Sequence, residues 1–330
     1  MNLYYLGIDV AKKTLDLALC EGGAKKPKAL SKQVNNDVKG YQSALAWVEQ
    51  RGIPRDQVHV CLEATGHYGD GVAHFLQQAG VAVSVVNPAH IKAYGKASGQ
   101  RENTDKADAR LIAAYAQTFQ PTLWQPLPAH ILELRTQVRH LASLEKHIQQ
   151  VKNRLQAQLP SAPVQASLHR MLDFLTAELK ACKKAVQAYL KQHPELHTLA
   201  RLLTSIKGIG DLTAARLIAE IGDITRFNTP EQLVAFIGLD PRRHESGTSV
   251  RKPSQISRQG NARARAALYF PAIVAKKHNP IIRAFCLRLQ ERHKKPKEQV
   301  IAAMRKLLHL VYGVWKSGKP FDPTLLAQKA

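Results

Sequence analysis

LYYLGIDVAKKTLDLALC, residues 3 to 20, decides the fold of the first third of the chain. Two apolar runs rich in β-formers flank a polar turn, which predicts two strands. A third short strand is expected in KPKALSKQV. A helical pattern in VKGYQSALAWVEQ, a buried strand in QVHVCLE, a helix in GDGVAHFLQQAG and a strand in VAVSVVN follow, then helices beginning near Pro88 and Thr104. Strands first, then alternation of helix and strand, predict a mixed sheet covered by helices and ending near Pro121.

Beyond that point the pattern changes to helix. Leu134, Val138, Leu141, Leu144, Ile148, Val151, Leu155 and Leu159 recur every three or four residues, as in a long amphipathic helix with coiled-coil character. Pro160 and Pro163 are expected to break it. A second stripe through Leu168, Leu172, Leu175, Leu179, Cys182, Val186 and Tyr189 then predicts an antiparallel helical hairpin, a spacer or an oligomerisation arm. After His193-Pro194, two helical patterns are joined by Gly208-Ile209-Gly210. Such a turn is either an ordinary helix junction or a helix-hairpin-helix, whose glycines let backbone amides approach a phosphate. The basic surroundings, with Ile206 and Leu212 flanking the turn, favour the second. From Arg263 to about Lys316 the chain is basic and largely helical in pattern, and Pro320 and Pro323 mark a loose tail. The expected domains are residues 1–122, 123–195 and 196–330.

Composition narrows the partner. The 330 residues include 48 Lys and Arg against 25 Asp and Glu, a formal charge of +23, with 45% hydrophobic residues. So much positive charge costs self-repulsion, and a polyanion relieves it, so nucleic acid is the leading partner. No apolar run is long enough to span a bilayer, and the start MNLYYLGIDVAKK lacks the order of a signal peptide. A cytoplasmic protein without a membrane partner is expected. Cys20, Cys61, Cys182 and Cys286 are scattered, without a C-x-x-C pair or histidines at zinc spacing, and read as reduced thiols.

The acids are few, so their placement carries information. Asp9 closes the first strand just after Gly7, where an RNase H-like sheet places a metal-binding carboxylate. Glu63 ends the strand VHVCLE. Asp105 and Asp108, three apart, share a helix face. Each alone has an ordinary reading as a solvated strand end, a turn cap or a helix N-terminal residue. Together they form a set whose repulsion bound cations would relieve. Hard oxygen ligands suit Mg²⁺ or Mn²⁺, and two such ions roughly 4 Å apart would clamp the attacking and leaving oxygens of a phosphodiester. Asp16 is expected to face solvent on the second strand.

The segment RHESGTSVRKPSQISRQGNARAR, residues 243 to 265, holds one acid among many cations. Ser246 follows the apolar segment LVAFIGLDP, so it is not in a tail. Arg242, Arg243, Arg251 and Lys252 could clamp a phosphate beside it, and Gly247 allows close approach. Either the serine only donates a hydrogen bond to that phosphate, or it attacks it. Chemistry leaves Ser249, Ser254 and Ser257 open as well, and His244 is a phosphate or water contact. Arg101, Asn103 and Lys106, beside the aspartate pair, are candidate nucleic-acid contacts, as are Gly208, Gly210 and Arg258.

The order GIDVAKKTLDLAL, CLEATGHYG, VVNPAHIKAYGKASGQRENTDKADARLIAAY, SIKGIG and AFIGLDPRRHESGTSVRKPSQISRQGNARARAALYFPA resembles the DEDD transposases of insertion sequence family one-ten, the bridge-RNA-guided recombinases. The resemblance covers nearly the whole chain. It implies a RuvC-like N-terminal domain with Asp9, Glu63, Asp105 and Asp108 as a metal-binding tetrad, and a transposase domain whose catalytic serine, in the E-S-G context, is Ser246. It further implies donor and target DNA, a structured bridge RNA pairing with both, and a homodimer assembling to a tetramer in a bacterial, nucleoid-associated setting. The rival expectations are a RuvC-like nuclease or resolvase using metal-activated water, and a binding protein without catalysis.

Overall fold

The hairpin at the head of the chain forms as its pattern requires. The computed structural model describes residues 3–23, 29–64, 68–99, 104–157, 161–246 and 250–324, with only the backbone at 243–246 and 250–254. The chain falls into two units, residues 1–126 and 127–330.

In the first unit, β1 (Tyr4–Val10) and β2 (Thr14–Glu21) pair antiparallel, and β3 (Leu30–Asn35) adds antiparallel to the outer edge of β2. After α1 (Val38–Glu49), β4 (Val58–Glu63) pairs parallel with β1. After α2 (Asp70–Gln78), β5 (Ala82–Val86) pairs parallel with β4. The order β3-β2-β1-β4-β5, with antiparallel and parallel pairs, is the expected mixed sheet. Helices α3 (Pro88–Ala97) and α4 (Asp105–Phe119) complete the unit.

Strand alternation sorts the side chains between two faces. Leu6, Ile8, Leu17 and Leu62 join Trp47 of α1 and Leu76 of α2 in one cluster. Tyr5, Cys61 and Val86 meet Ile112 and Tyr115 of α4 in another. Ile8 is 0% and Leu17 1% exposed; burial of such a side chain contributes about 1.5–3 kcal/mol. The sheet is thus fixed in register, because a slip by one residue would turn these side chains to the wrong face.

The second unit begins with α5 (Ala129–Gln156) and α6 (Ala162–Gln192). The Tyr189 hydroxyl donates to the His130 carbonyl at 3.1 Å, which ties the end of α6 to the start of α5. The first long helix ends at Gln156 and the second begins at Ala162, so the break falls where it was expected; Pro163 stands in the first turn of α6, where its missing N–H costs nothing, and Pro160 lies outside the described residues. Leu134, Val138, Leu141, Val186 and Leu190 of this pair share one core with the helices that follow.

Those helices are α7 (Pro194–Thr204), α8 (Asp211–Ile221), α9 (Pro230–Ile237), α10 (Ala262–Ala267), α11 (Tyr269–His278), α12 (Pro280–Glu291) and α13 (Pro296–Ser317). Between α9 and α10 stands a feature absent from the sequence reading, an antiparallel ribbon of β6 (Pro241–Ser246) and β7 (Val250–Ile256). Among the described residues no helix is long and apolar enough to cross a membrane. All four cysteines are free.

Candidate catalytic site

Glycine at position 7 sets the distance between sheet and helix. A Cβ on Gly7 would run into the backbone of Ala109 and Ala113. Only a bare Cα lets α4 lie this close to β1. Thr104 caps the helix, its hydroxyl accepting from the Ala107 N–H at 3.2 Å, so that Asp105 and Asp108 fall in the first turn. Carboxylates are favoured there by the positive end of the helix.

Under that turn the sheet carries its own acids. Ile8 and Leu62 are the last partners in the parallel pairing of β1 with β4, so Asp9 and Glu63, the next residue of each strand, end neighbouring strands. Both belong to the face of Tyr5 and Cys61, the face that α4 covers. Burial, then the charges of Asp105 and Asp108, push the Asp9 carboxyl up to about 6, with Asp16 adding to the rise and a backbone hydrogen bond opposing it. Burial, then Asp9 and Asp108, raise Glu63 as well. The sheet acids and the helix acids therefore feel one another's charge.

Asp16 corrects the sequence expectation. It does not face solvent: it is 3% exposed and lies directly across the hairpin from Asp9. Gln33 on β3 donates to both its oxygens, at 3.2 and 3.0 Å. A polar row thus crosses the sheet from Gln33 through Asp16 and Asp9 to Glu63. The signal was in the hairpin: counting outward from the turn pairs Val10 with Leu15 and Asp9 with Asp16.

Among the described residues, no group of three or more His, Cys, Asp or Glu stands at metal-holding distance. The donor chemistry, four carboxylates with mutual repulsion, fits a hard divalent cation that would draw them together. Lys106 is exposed next to Asp105. Arg101 and Asn103 lie outside the described residues.

In the second unit, the backbone places Ser246 at the last position of β6, opposite Val250, with Glu245 opposite Arg251 and His244 opposite Lys252. The register shifts between Arg242 and His244. Arg242 and Arg258 are exposed. The side chains of Arg243, Ser246, Arg251, Lys252 and Ser254, and all of Gly247 and Ser249, lie outside the described part. The hydroxyl of Ser257 donates to the Asp240 carboxylate. Gly208, at φ +113°, turns toward α11, where an added Cβ would meet the Ala275 Cβ at 2.7 Å. Gly210 caps α8 and has open space beside it.

Residues 6–162 match a family model of the IS110 DEDD type described as transposase, and residues 200–287 match that of the transposase IS116/IS110/IS902 family. The pilin gene-inverting protein of Moraxella bovis is 32% identical over 323 residues, which cover 98% of each chain. This chain belongs to the IS116/IS110/IS902 transposase family. It is accordingly an enzyme of DNA recombination. The transposase is also similar to that of insertion sequence element IS1111A from Coxiella burnetii, 28% identical over 66% of each chain. Among solved structures, Thermus thermophilus RuvC with a Holliday junction substrate is similar at 16% identity and a TM-score of 0.29, over 37% of this chain and 99% of that one. The first matched region of this transposase contains every acid of the sheet-and-helix site, and the second contains the ribbon with Ser246.

Proposed function

We propose that this transposase is a site-specific recombinase that cuts and rejoins DNA through Ser246, with a divalent cation held by Asp9, Glu63, Asp105 and Asp108. What supports the reading is that two of those acids end neighbouring strands and two stand in the first turn of the helix that Gly7 lets lie close to the sheet, near enough for Asp9 to feel the charges of Asp105 and Asp108. Bound Mg²⁺ or Mn²⁺ would supply stabilisation of negative charge on the phosphodiester oxygens.

The chain's own residues do the rest. The Ser246 oxygen attacks phosphorus, a P–O bond to the sugar breaks, and the departing oxygen leaves as a hydroxyl carrying the serine's proton. The phosphoserine ester keeps the free energy of the broken bond, so attack by the hydroxyl of an exchanged strand rejoins DNA and restores serine without ATP. Arg242, Arg243, Arg251 and Lys252 hold the phosphate, and Arg101, Lys106, Gly208, Gly210 and Arg258 contact the backbone beyond it. A structured bridge RNA supplies sequence choice by pairing with donor and target DNA, and the protein reads the resulting duplex by shape. Exchange of two duplexes needs several active sites, which homodimers assembling to a tetramer provide. The Moraxella relatives are named for gene inversion, an outcome that requires cut ends to be rejoined.

Trapping tests the reading. A reaction on labelled DNA, denatured before completion, should yield a protein–DNA adduct that Ser246→Ala abolishes. Strand cutting without any adduct would favour a metal-dependent nuclease instead. A discrete structured RNA should copurify with the chain; random cellular RNA would count against guidance.

A further inference from the structure

A cleft of about 500 Å³ opens at the root of the serine ribbon. One wall is the ribbon's base, with Pro241, Gln255 and Arg258; the other is the turn between α12 and α13 with the start of α13. Among the described residues, five cations line it, Arg258, Lys294, Lys295, Lys297 and Arg305, against one acid, Glu298. Among the described residues no salt bridge engages any of the five.

Both walls are held in place. Gln299, 4% exposed, donates from Nε2 to the Lys294 carbonyl at 2.8 Å, while its Oε1 accepts from Lys276 at 2.6 Å. A buried amide satisfied on both sides fixes the turn that carries the lysines. His293 reverses the chain there at φ +53°. Lys295 stands at the N-cap position of the 22-residue α13, so the positive end of a long helix adds to the lysine charges. Opposite, the Arg258 N–H donates to the Gly238 carbonyl at 3.2 Å and the Ser257 N–H to the Asp240 carbonyl at 2.8 Å. Arg258 itself is held at φ +55°, a conformation a non-glycine residue keeps only where its surroundings impose it.

Resting on the serine reading above, we propose that this cleft is a phosphate-backbone subsite for the DNA strand that Ser246 attacks. From Pro241 to Ser246 the strand rises about 17 Å, at roughly 3.3 Å per residue. At about 3.4 Å per base pair, the phosphates in the cleft lie within about five base pairs of the scissile one. A cluster with cations in excess at that reach grips the duplex without reading sequence.

The test uses the full chain and a DNA duplex three helical turns long, binding being followed against salt. Each lost phosphate contact lowers the slope of log affinity on log salt by about 0.9. The variant Lys294→Gln/Lys295→Gln/Lys297→Gln should flatten the slope by about two to three, and Arg258→Gln, on the opposite wall, by about one. Lys180→Gln/Lys184→Gln/Lys191→Gln on α6 carries the same charge change and should leave the slope near wild type. Equal slopes for the wild type and both cleft variants would overturn the proposal, as would flattening on an RNA duplex alone. The slope is read without chemistry. Flattening in a chain that never forms a Ser246 adduct sinks the serine mechanism and leaves the cleft standing; an adduct with unchanged slopes does the reverse.

Discussion

Asp16 faces Asp9 across the first hairpin, and the Gln33 amide donates to both Asp16 oxygens. One like charge is thereby held beside the strand-end carboxylate that burial first, then Asp105 and Asp108, with Asp16 adding, push up to about 6. Asp16→Asn keeps the shape and removes the charge. The Asp9 titration, followed by carboxyl carbon NMR, should move to lower pH, because losing a like neighbour favours the ionised form. An unmoved midpoint would mean that Gln33 already screens Asp16 from Asp9.

The raised Asp9 makes stability depend on pH with a definite sign. Its folded value of about 6 lies above the unfolded one, near 3.9, so the folded chain binds more protons in between. Its contribution is full below about pH 4 and is lost as pH rises through about 6. Glu63 is shifted in the same direction. In chelator, Asp9→Asn should therefore gain on the wild type in urea midpoint as pH is raised across that window. A constant difference would show that Asp9 does not titrate there.

Gly7 permits the approach of α4 to β1. Gly7→Ala should force the helix outward, at a cost of about 1–3 kcal/mol, the usual range for overpacking. The same displacement carries Asp105 and Asp108 away from Asp9, so recombination should fall far more than the thermal midpoint accounts for. Thermal unfolding beside a strand-transfer assay checks this; a loss of activity no larger than the loss of folded protein would refute it.

The sheet was legible because periodicity of two and short turns leave few alternatives, and the hairpin of residues 3 to 20 fixed which strands come first. The long helices were legible from their leucine stripes. The ribbon carrying Ser246 was not: among Arg242 to Gln255 only Val250 and Pro253 are apolar, so alternation left no mark. Asp16 was misread because following one strand at a time ignores the partner across the turn. The lysine turn of 294–297 reads in sequence as an ordinary solvated run; its meaning comes from Gln299 and from the ribbon base opposite, neither of which sequence spacing connects.

Glu220 ties three elements of the second unit together. It is 3% exposed, and its oxygens accept from Arg139 at 2.7 and 2.9 Å and from Asn261 at 2.9 Å. Asn261 also caps α10, and its N–H donates to the Phe236 carbonyl at 2.8 Å, so the network anchors the chain just beyond the ribbon. Burial pushes the Glu220 carboxyl up, but the Arg139 and Asn261 hydrogen bonds and the charges of Arg139 and Arg135 outweigh it and hold it below the usual range. A depressed folded value gives stability that is present above the unfolded pKa, about 4.3, and lost as pH falls through the folded one. Glu220→Gln should therefore destabilise the chain at neutral pH by about 2–4 kcal/mol, discounted from a fully buried pair because the Arg139 side chain is 28% exposed. The deficit should shrink as the wild type is taken below about pH 4, where it loses the same charge. Urea unfolding of both proteins across that range measures it, and a deficit that stays constant would assign the effect to shape and hydrogen bonding rather than to the ion pair.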